Sequence, residues 1–491
     1  MPNVKILDRS QGLRTEILSI VTNISSCLGK DPLDQLEVHI APEALHDSAE
    51  RCDAPKCHPD TRVAVQADLY SWIEHGDTAN PHKLKWVTGP AGTGKTSVMG
   101  SLIELCKDNG LPVVSFFFSS TGSTGRHTKT AFVTTIAHQL AQHRQDLKGE
   151  IAAAIEADTI VFKKNLHVQM ETLVLGPFRA VTGGSNAVLR GVIIVDGLDE
   201  CRVEQTHDAT SSGSNPSPTP VRRNDEDQLE ILQVLQQASS DPAFPYRILI
   251  ASRPERVFRE FFDPEQNPTF FSPKLDLNED YDANADISLF LEAHLNRIRR
   301  RYNLPSSWPS PEAIRILVRN ASGQFIYAAT VIRFLDTGHR EPPKALLEAI
   351  LKMGVKTTSN PLEQLDVLYS HILGSSPDPL LSARWICSIT ELDCLSTSYA
   401  SNVHLLLQTD PESSEAEHLL GNLHSLIRIP APSNQATTRY DFYHKSLSDF
   451  LEDPGRCGNL YVEDRVISTF IWDGFVRACA SEFVSASSFT G

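Results

Sequence analysis

The sequence predicts an α/β fold: a parallel sheet with helices on both faces, then a helical domain and a small domain bearing a β-hairpin. Three features carry that prediction. From about residue 60 to 290, short apolar runs rich in β-branched and aromatic residues alternate with helical stretches. Continuous apolar strands separated by helices imply a parallel sheet buried on both sides. Past residue 285 the strand pattern ends and helical periodicity takes over. A glycine-rich turn, GPAGTGKT, joins the first strand of the alternating region to its helix.

Taken in order, residues 1 to about 60 read as one amphipathic helix and a polar connector, with Leu13, Ile17, Ile20, Val21 and Ile24 at helical spacing. Strands fall at 84–88, 113–118, 192–195, 248–251 and, with a fainter pattern, 274–277. Between Thr206 and Asn224 the chain reads THDATSSGSNPSPTPVRRN, rich in Ser, Thr and Pro with almost nothing to bury. It reads as a disordered insertion ahead of a helix at 227–237, a tolerated loop rather than a regulatory phosphosite. Helical patterns follow at 287–300, 313–318, 324–334 and 362–373. Within 380–452, two helices lead to short strands at 425–429 and 439–444 around the turn APSNQATT. No repeat of about 20–50 residues is visible, which excludes solenoids and propellers.

Bulk composition narrows the function classes. At 491 residues, with 41% apolar and 22% charged side chains, the chain is an ordinary globular sequence long enough for several domains. A formal net charge of −16 argues against nonspecific binding to nucleic acid or anionic membrane. No run approaches the ~20 apolar residues of a membrane span, and the first residues lack the apolar stretch of a signal peptide. The nine cysteines are scattered. Cys106, Cys201, Cys387 and Cys479 sit in apolar stretches and read as small core residues of a reducing, cytoplasmic compartment. Cys52, Cys57 and His58 fit no common zinc spacing.

The glycine-rich turn fits G-x-x-x-x-G-K-[ST] through Gly89, Gly94, Lys95 and Thr96, after an apolar strand and before a helical run. Gly89, Pro90, Ala91, Gly92, Thr93, Gly94, Lys95, Thr96 and Ser97 are the predicted phosphate cradle. The glycines let backbone N–H groups turn toward phosphate oxygens, and the next helix adds its positive end. Lys95 reaches the β- and γ-phosphates as a point charge, and the Thr96 hydroxyl ligates Mg²⁺. The strand at 192–195 delivers Asp196 to its carboxyl end, where open α/β sheets bind ligands. Asp196 is the predicted acid for Mg²⁺, bound directly or through water. One short turn later, Asp199 and Glu200 can orient or activate an attacking water; capping the following helix is the alternative for either. The strand at 248–251 ends in Ser252-Arg253-Pro254, and Arg253 at its tip can reach a γ-phosphate. These features together predict a P-loop nucleoside triphosphatase, a parallel three-layer sandwich, with ATP or GTP and Mg²⁺ as ligands.

GPAGTGKT, IIVDGLDEC and ILIASRPE, in that order, resemble the NACHT domain in its fungal and nephrocystin-like N-terminal versions, regulatory ATPases of the AAA+-related signal-transduction class. Asp60-Thr61-Arg62 with Trp72 is similar to the family's lead-in helix, and 116–119 to its second strand. Residues 323–330, 365–369 and 444–451 resemble its segment after the sheet, its helical region and its winged-helix region. The resemblance covers most of residues 45–455. It divides the chain into 1–59, a helix and connector; 60–285, the NACHT P-loop NTPase domain; 286–375, a helical domain; 376–455, a winged-helix-like domain; and 456–491, a tail. It implies a molecular switch whose ADP-bound closed state opens on exchange for ATP and assembles with copies of itself or with a related NACHT protein. It also places His444 toward the nucleotide in the closed state. Relatives carry an N-terminal effector domain and C-terminal repeats. Here the N-terminal extension is short and the sequence ends soon after the winged region, so the resemblance implies a short paralogue, a partial gene model, or a partner for a longer relative.

The expected activity is slow hydrolysis of ATP, with ATP favoured over GTP by resemblance. A non-hydrolysing nucleotide-holding scaffold is the alternative. A small GTPase would read guanine through N-K-x-D, which is absent, and a metabolic kinase would need a lid and acceptor pocket that a winged helical tail does not supply.

Overall fold

Five strands pair in parallel in the order β2-β3-β4-β1-β5. They are β1 (Leu84–Thr88), β2 (Val113–Phe117), β3 (Gly191–Asp196), β4 (Tyr246–Ser252) and β5 (Lys274–Asp276). The computed structural model describes residues 31–52, 54–76, 82–120, 123–182, 191–203, 223–265, 274–336, 341–353, 362–392, 399–409 and 414–487. Each predicted strand is present, and β2 and β3 are buried end to end, as a sheet covered on both faces requires. One face carries Val87, Val113, Phe117, Val192, Ile194, Leu249 and Ala251. Val98, Met99, Leu102 and Ile103 of the helix Lys95–Asp108 and Val65 and Leu69 of the helix Val63–His75 complete that layer. On the alternate positions Trp86 stacks on Phe262, ring centroids 4.8 Å apart, beside the helices Asn224–Ser240 and Arg256–Phe261. This is the three-layer P-loop α/β fold.

Two compact units divide the chain: residues 1–40 with 133–186, and residues 41–132 with 187–491. In the first, the helices Pro32–Glu37, Gln145–Ala157 and Gly176–Thr182 bury Leu36, Ile151, Ile155 and Phe178, and His39 stacks on Phe162 at 4.3 Å. The partition drawn from the sequence kept 133–186 inside one domain; the contacts group it apart.

In the second unit, buried side chains from Ala283 to Ile471 form one continuous cluster distinct from the sheet's own core. The sequence boundary at 375 and 376 therefore falls inside a single core. Three helices, Pro379–Leu392, Ala400–Leu407 and Glu415–Leu420, precede the hairpin where the sequence predicts two. The latter two are 8 and 6 residues long, too short for periodicity to register. The hairpin itself is β6 (Ile427–Arg428) with β7 (Asp441–Phe442), two residues each and antiparallel. Pro430 and Pro432 lack N–H donors, so the ladder cannot extend into the turn. The segment read as a tail carries the helix Asp464–Ser487. It lies close on Ala400–Leu407 because position 474 is glycine: a Cβ there would meet the Leu406 carbonyl oxygen at 1.9 Å.

Cys106 and Cys201 are buried and Cys387 is half-buried, but Cys479 is exposed on that last helix, which corrects its reading as a core residue. The N-terminal helix read at 13–24 and the insertion up to residue 222 lie outside the described residues. Among the described residues, no helix is long and apolar enough to cross a membrane.

Candidate functional site

Because β4 lies between β1 and β3, the segments that leave these three strands are neighbours at one edge of the sheet. The turn after β1 has positive φ at Gly89, Gly92 and Gly94. At Gly92 the need is steric as well: a Cβ would stand 2.1 Å from Ile326 Cγ2, and Ile326 N–H donates to the Gly92 carbonyl at 3.3 Å. The turn is thus fitted against the helix Phe325–Asp336. From the other side Arg62, itself buried, donates to the carbonyls of Thr93 (3.2 Å) and Leu277 (3.3 Å), while its backbone N–H donates to Asp286. Thr93 closes the turn through its hydroxyl to the Pro90 carbonyl at 3.0 Å. Lys95 folds back, its Nζ donating to the carbonyls of Gly89 (2.6 Å) and Pro90 (2.9 Å). Burial lowers the Lys95 ammonium to about 8, opposed by the Asp199 carboxylate.

Asp196 emerges from β3 at 2% exposure. Burial raises its carboxyl to about 6, and a hydrogen bond with the Thr96 hydroxyl and the charge of Arg51 work against that rise. Its Oδ1 is buried with no hydrogen-bond partner. A buried carboxylate oxygen left unpaired beside a threonine hydroxyl is a donor set suited to Mg²⁺, whose ligands are hard oxygens. Asp199 and Glu200 sit in a short 3₁₀ turn, Leu198–Glu200, right after β3, and they are held differently. Asp199 Oδ1 accepts from the Arg253 backbone N–H at 3.1 Å, and its Oδ2 lies 3.3 Å from Arg253 Nε. Glu200 Oε2 accepts from the Ser120 N–H at 2.7 Å, beyond the end of β2.

Arg253, at the tip of β4, also donates from Nη1 to Asp449 Oδ2 at 2.6 Å. Asp449 belongs to the helix Ser446–Leu451, almost two hundred residues along the chain. Burial works against the guanidinium, yet Asp449 and Asp199 raise it above its ordinary value. His444 stands just before that helix. The Ser446 N–H donates to His444 Nδ1 at 3.0 Å, so Nδ1 is an acceptor and the neutral ring carries its proton on Nε2. Ser446 Oγ is fixed in turn by the Tyr369 hydroxyl at 2.8 Å. Burial, then the charges of Arg253, Lys95 and Arg333, lower His444 to about 3, so the ring is neutral at ordinary pH.

Residues 91–97, Ser120, Asp196, Asp199, Glu200, Arg253 and His444 line one cavity of ≈ 310 Å³ that also receives Arg51, Arg62, Arg126 and Arg333. Sequence reading singled out none of the four except Arg62, as part of the lead-in segment. Arg51 lies over the Phe117 ring at 3.5 Å, and burial lowers it to about 10 against the pull of Asp196. It precedes the domain's first helix and obeys no motif spacing. Arg126 donates to the Phe117 carbonyl at 3.3 Å and lies 3.6 Å from Glu50. Neither position is marked by its neighbours in sequence; only the folded chain brings them to the acids. Asp449 lies inside the run 444–451, where nothing in the sequence marks Arg253 as its partner.

A family model described as Nephrocystin 3, N-terminal, matches residues 64–253. No curated protein matches. Among solved structures, Cdc6p from Pyrobaculum aerophilum aligns at 13% identity over 85% of this chain and 95% of its own, TM-score 0.34. The Aeropyrum pernix ORC2 protein in its ADPNP–ADP complexes aligns at 14% identity over 87% of this chain and 97% of its own, TM-score 0.32. AMPPCP-bound DnaA from Aquifex aeolicus aligns at 11% identity over 89% of this chain and 99% of its own, TM-score 0.28. The matched segment runs from the first helix of the sheet domain to Arg253, so it contains the glycine-rich turn, the acids after β3 and the tip of β4. Residues 64–253 are therefore similar to nephrocystin 3 N-terminal domains, and the sheet they contribute has the P-loop α/β fold.

Proposed function

We propose that this chain is a nucleotide-dependent molecular switch of the NACHT type, which binds ATP and ADP, hydrolyses ATP slowly and controls self-assembly or signalling to a related partner in the cytoplasm. The observation that carries this reading is the shared cavity. Lys95, Asp196, Arg253 and His444, from four distant parts of the sequence, line one space of nucleotide-phosphate chemistry. Residues 89–97 hold the phosphates, with Lys95 as the cation. Thr96 and Asp196 hold Mg²⁺, which supplies charge neutralisation at the phosphates when bound. Arg253 is the group that reads the γ-phosphate. His444 Nε2–H, with the proton fixed by Ser446, donates to a β-phosphate oxygen in the closed state. Among the two acids after β3, Glu200 is the better water-orienting group, because Asp199 is committed to Arg253 on both oxygens.

Titrating fluorescent ADP and ATP analogues into wild type and Lys95→Ala tests the assignment. Affinity should fall at least about tenfold, since a charge-assisted contact contributes about 1.5–3 kcal/mol. Equal affinities reject the site. A second reading, a non-hydrolysing holder of nucleotide, is favoured by the pairing of Asp199 with Arg253. Sustained phosphate release over many turnovers would rule it out.

A further inference from the structure

Arg253 is the one group at the end of β4 whose proposed partner is a terminal phosphate, and in this structure a carboxylate stands there. Its Nη1 donates to Asp449 Oδ2 at 2.6 Å while its Nε faces Asp199 Oδ2 at 3.3 Å. Asp449 and Arg253 are 21% and 17% exposed, so the pair is shielded from most of the water that weakens surface ion pairs. A carboxylate and a phosphate make the same kind of demand on a guanidinium: two oxygens, charge-assisted hydrogen bonds, one planar fork. Each excludes the other from the edge it occupies.

We propose that Asp449 is a specificity residue: it occupies Arg253 in place of a γ-phosphate, and so makes this closed arrangement select nucleoside diphosphate over triphosphate. The inference rests on the switch reading above and adds the group that discriminates. His444 and Asp449 sit five positions apart, on and just before one short helix, Ser446–Leu451. They act in opposite senses on the two nucleotides. His444 favours the diphosphate by donating to it. Asp449 disfavours the triphosphate by holding the cation it needs. A triphosphate that captures Arg253 must release Asp449, and release unties the sheet from the segment 444–451 that bears His444. The two contacts to the closed state are therefore lost together, which makes the transition steep in nucleotide type. Asp449 also approaches Arg456, whose Nη1 donates to the Asp449 carbonyl at 3.1 Å, and Arg456 is locked by two hydrogen bonds to Asp366. The helix is thus anchored on its far side to the helical core, so the bond to Arg253 links the sheet to that core.

The test uses the full chain and measures Kd for ADP and for a non-hydrolysable ATP analogue. In Asp449→Asn the ratio of the ATP-analogue Kd to the ADP Kd should fall at least about threefold, the scale expected for a partly shielded ion pair. Most of the change should lie in the triphosphate. Asp449→Glu, which keeps the charge, should stay nearer to wild type than to the Asn variant, and Asp449→Ser gives the same reading as Asn if the amide perturbs folding. In an Arg253→Ala background, Asp449→Asn should move the ratio no further. An unchanged ratio in Asp449→Asn and Asp449→Ser, with Lys95→Ala still losing both nucleotides, overturns the role of Asp449 and leaves the switch reading standing. If wild type binds neither nucleotide, both fall.

Discussion

At the residue scale, His444 shows how a buried site sets the state of its own groups. The ring accepts from Ser446 N–H, is buried, and faces Arg253, Lys95 and Arg333, so a further positive charge there is strongly opposed. Its folded value is about 3 against an ordinary 6.5. As pH falls below the ordinary value, the unfolded chain takes up a proton on this histidine and the folded chain does not. Stability from this residue is complete above about pH 6.5 and is lost progressively toward pH 3. Nucleotide-free wild type should therefore lose a few kcal/mol more between pH 7.5 and 4.5 than His444→Gln, in urea unfolding at the two values. Identical pH dependence would mean that the ring is solvated and protonates freely.

At the element scale, the glycine-rich turn and the helix Phe325–Asp336 are built to touch. Gly92 has φ +81° and leaves no room for a methyl group before Ile326. Gly92→Ala meets both obstacles, a left-handed backbone and an overlap, and should lower stability by roughly 1–3 kcal/mol, read as a fall in melting temperature. Adding Ile326→Ala should recover the overlap part only. A melting temperature equal to wild type would show that the turn is looser than its packing implies. Much of this edge was legible beforehand because local sequence fixes it: GPAGTGKT specifies a turn and IIVD a buried strand with an acid at its end. What stayed hidden is what long-range packing supplies. Arg51 has no spacing rule that points at Asp196, nor Arg126 one that points at Glu50, and Ile326 gives no sign in sequence that it meets Gly92. The sequence predicts one helix too few ahead of the hairpin because Ala400–Leu407 and Glu415–Leu420, of one or two turns each, hold too few apolar positions to show separate periods. The terminal helix Asp464–Ser487 was missed because a core formed elsewhere, at Leu406, decides its place.

At the scale of the larger unit, the cavity wall is shared between the sheet's strand tips and residues 325–333 and 442–445 of the helical core. A ligand seated there touches both, so its binding energy acts on the contact between them. At a free concentration a hundred times its Kd, a ligand that binds only the folded state adds about 2.7 kcal/mol to stability. ADP should do so through Lys95 and His444 together. His444→Leu removes one donor to a charged group, worth about 1.5–3 kcal/mol, and leaves the phosphate turn intact. The switch reading then requires ADP release to speed up about tenfold or more, because the lost contact belongs to the closed state alone. It also requires a larger assembled fraction in ADP, since the open state is the one proposed to self-associate. Asparagine would be a poor control, because it can still donate a hydrogen bond. Stopped-flow release and light scattering on the same preparation give both numbers. Faster release without added assembly would keep His444 at the nucleotide but detach the closed state from oligomerisation. Unchanged release would return it to a packing role behind Ser446 and Tyr369.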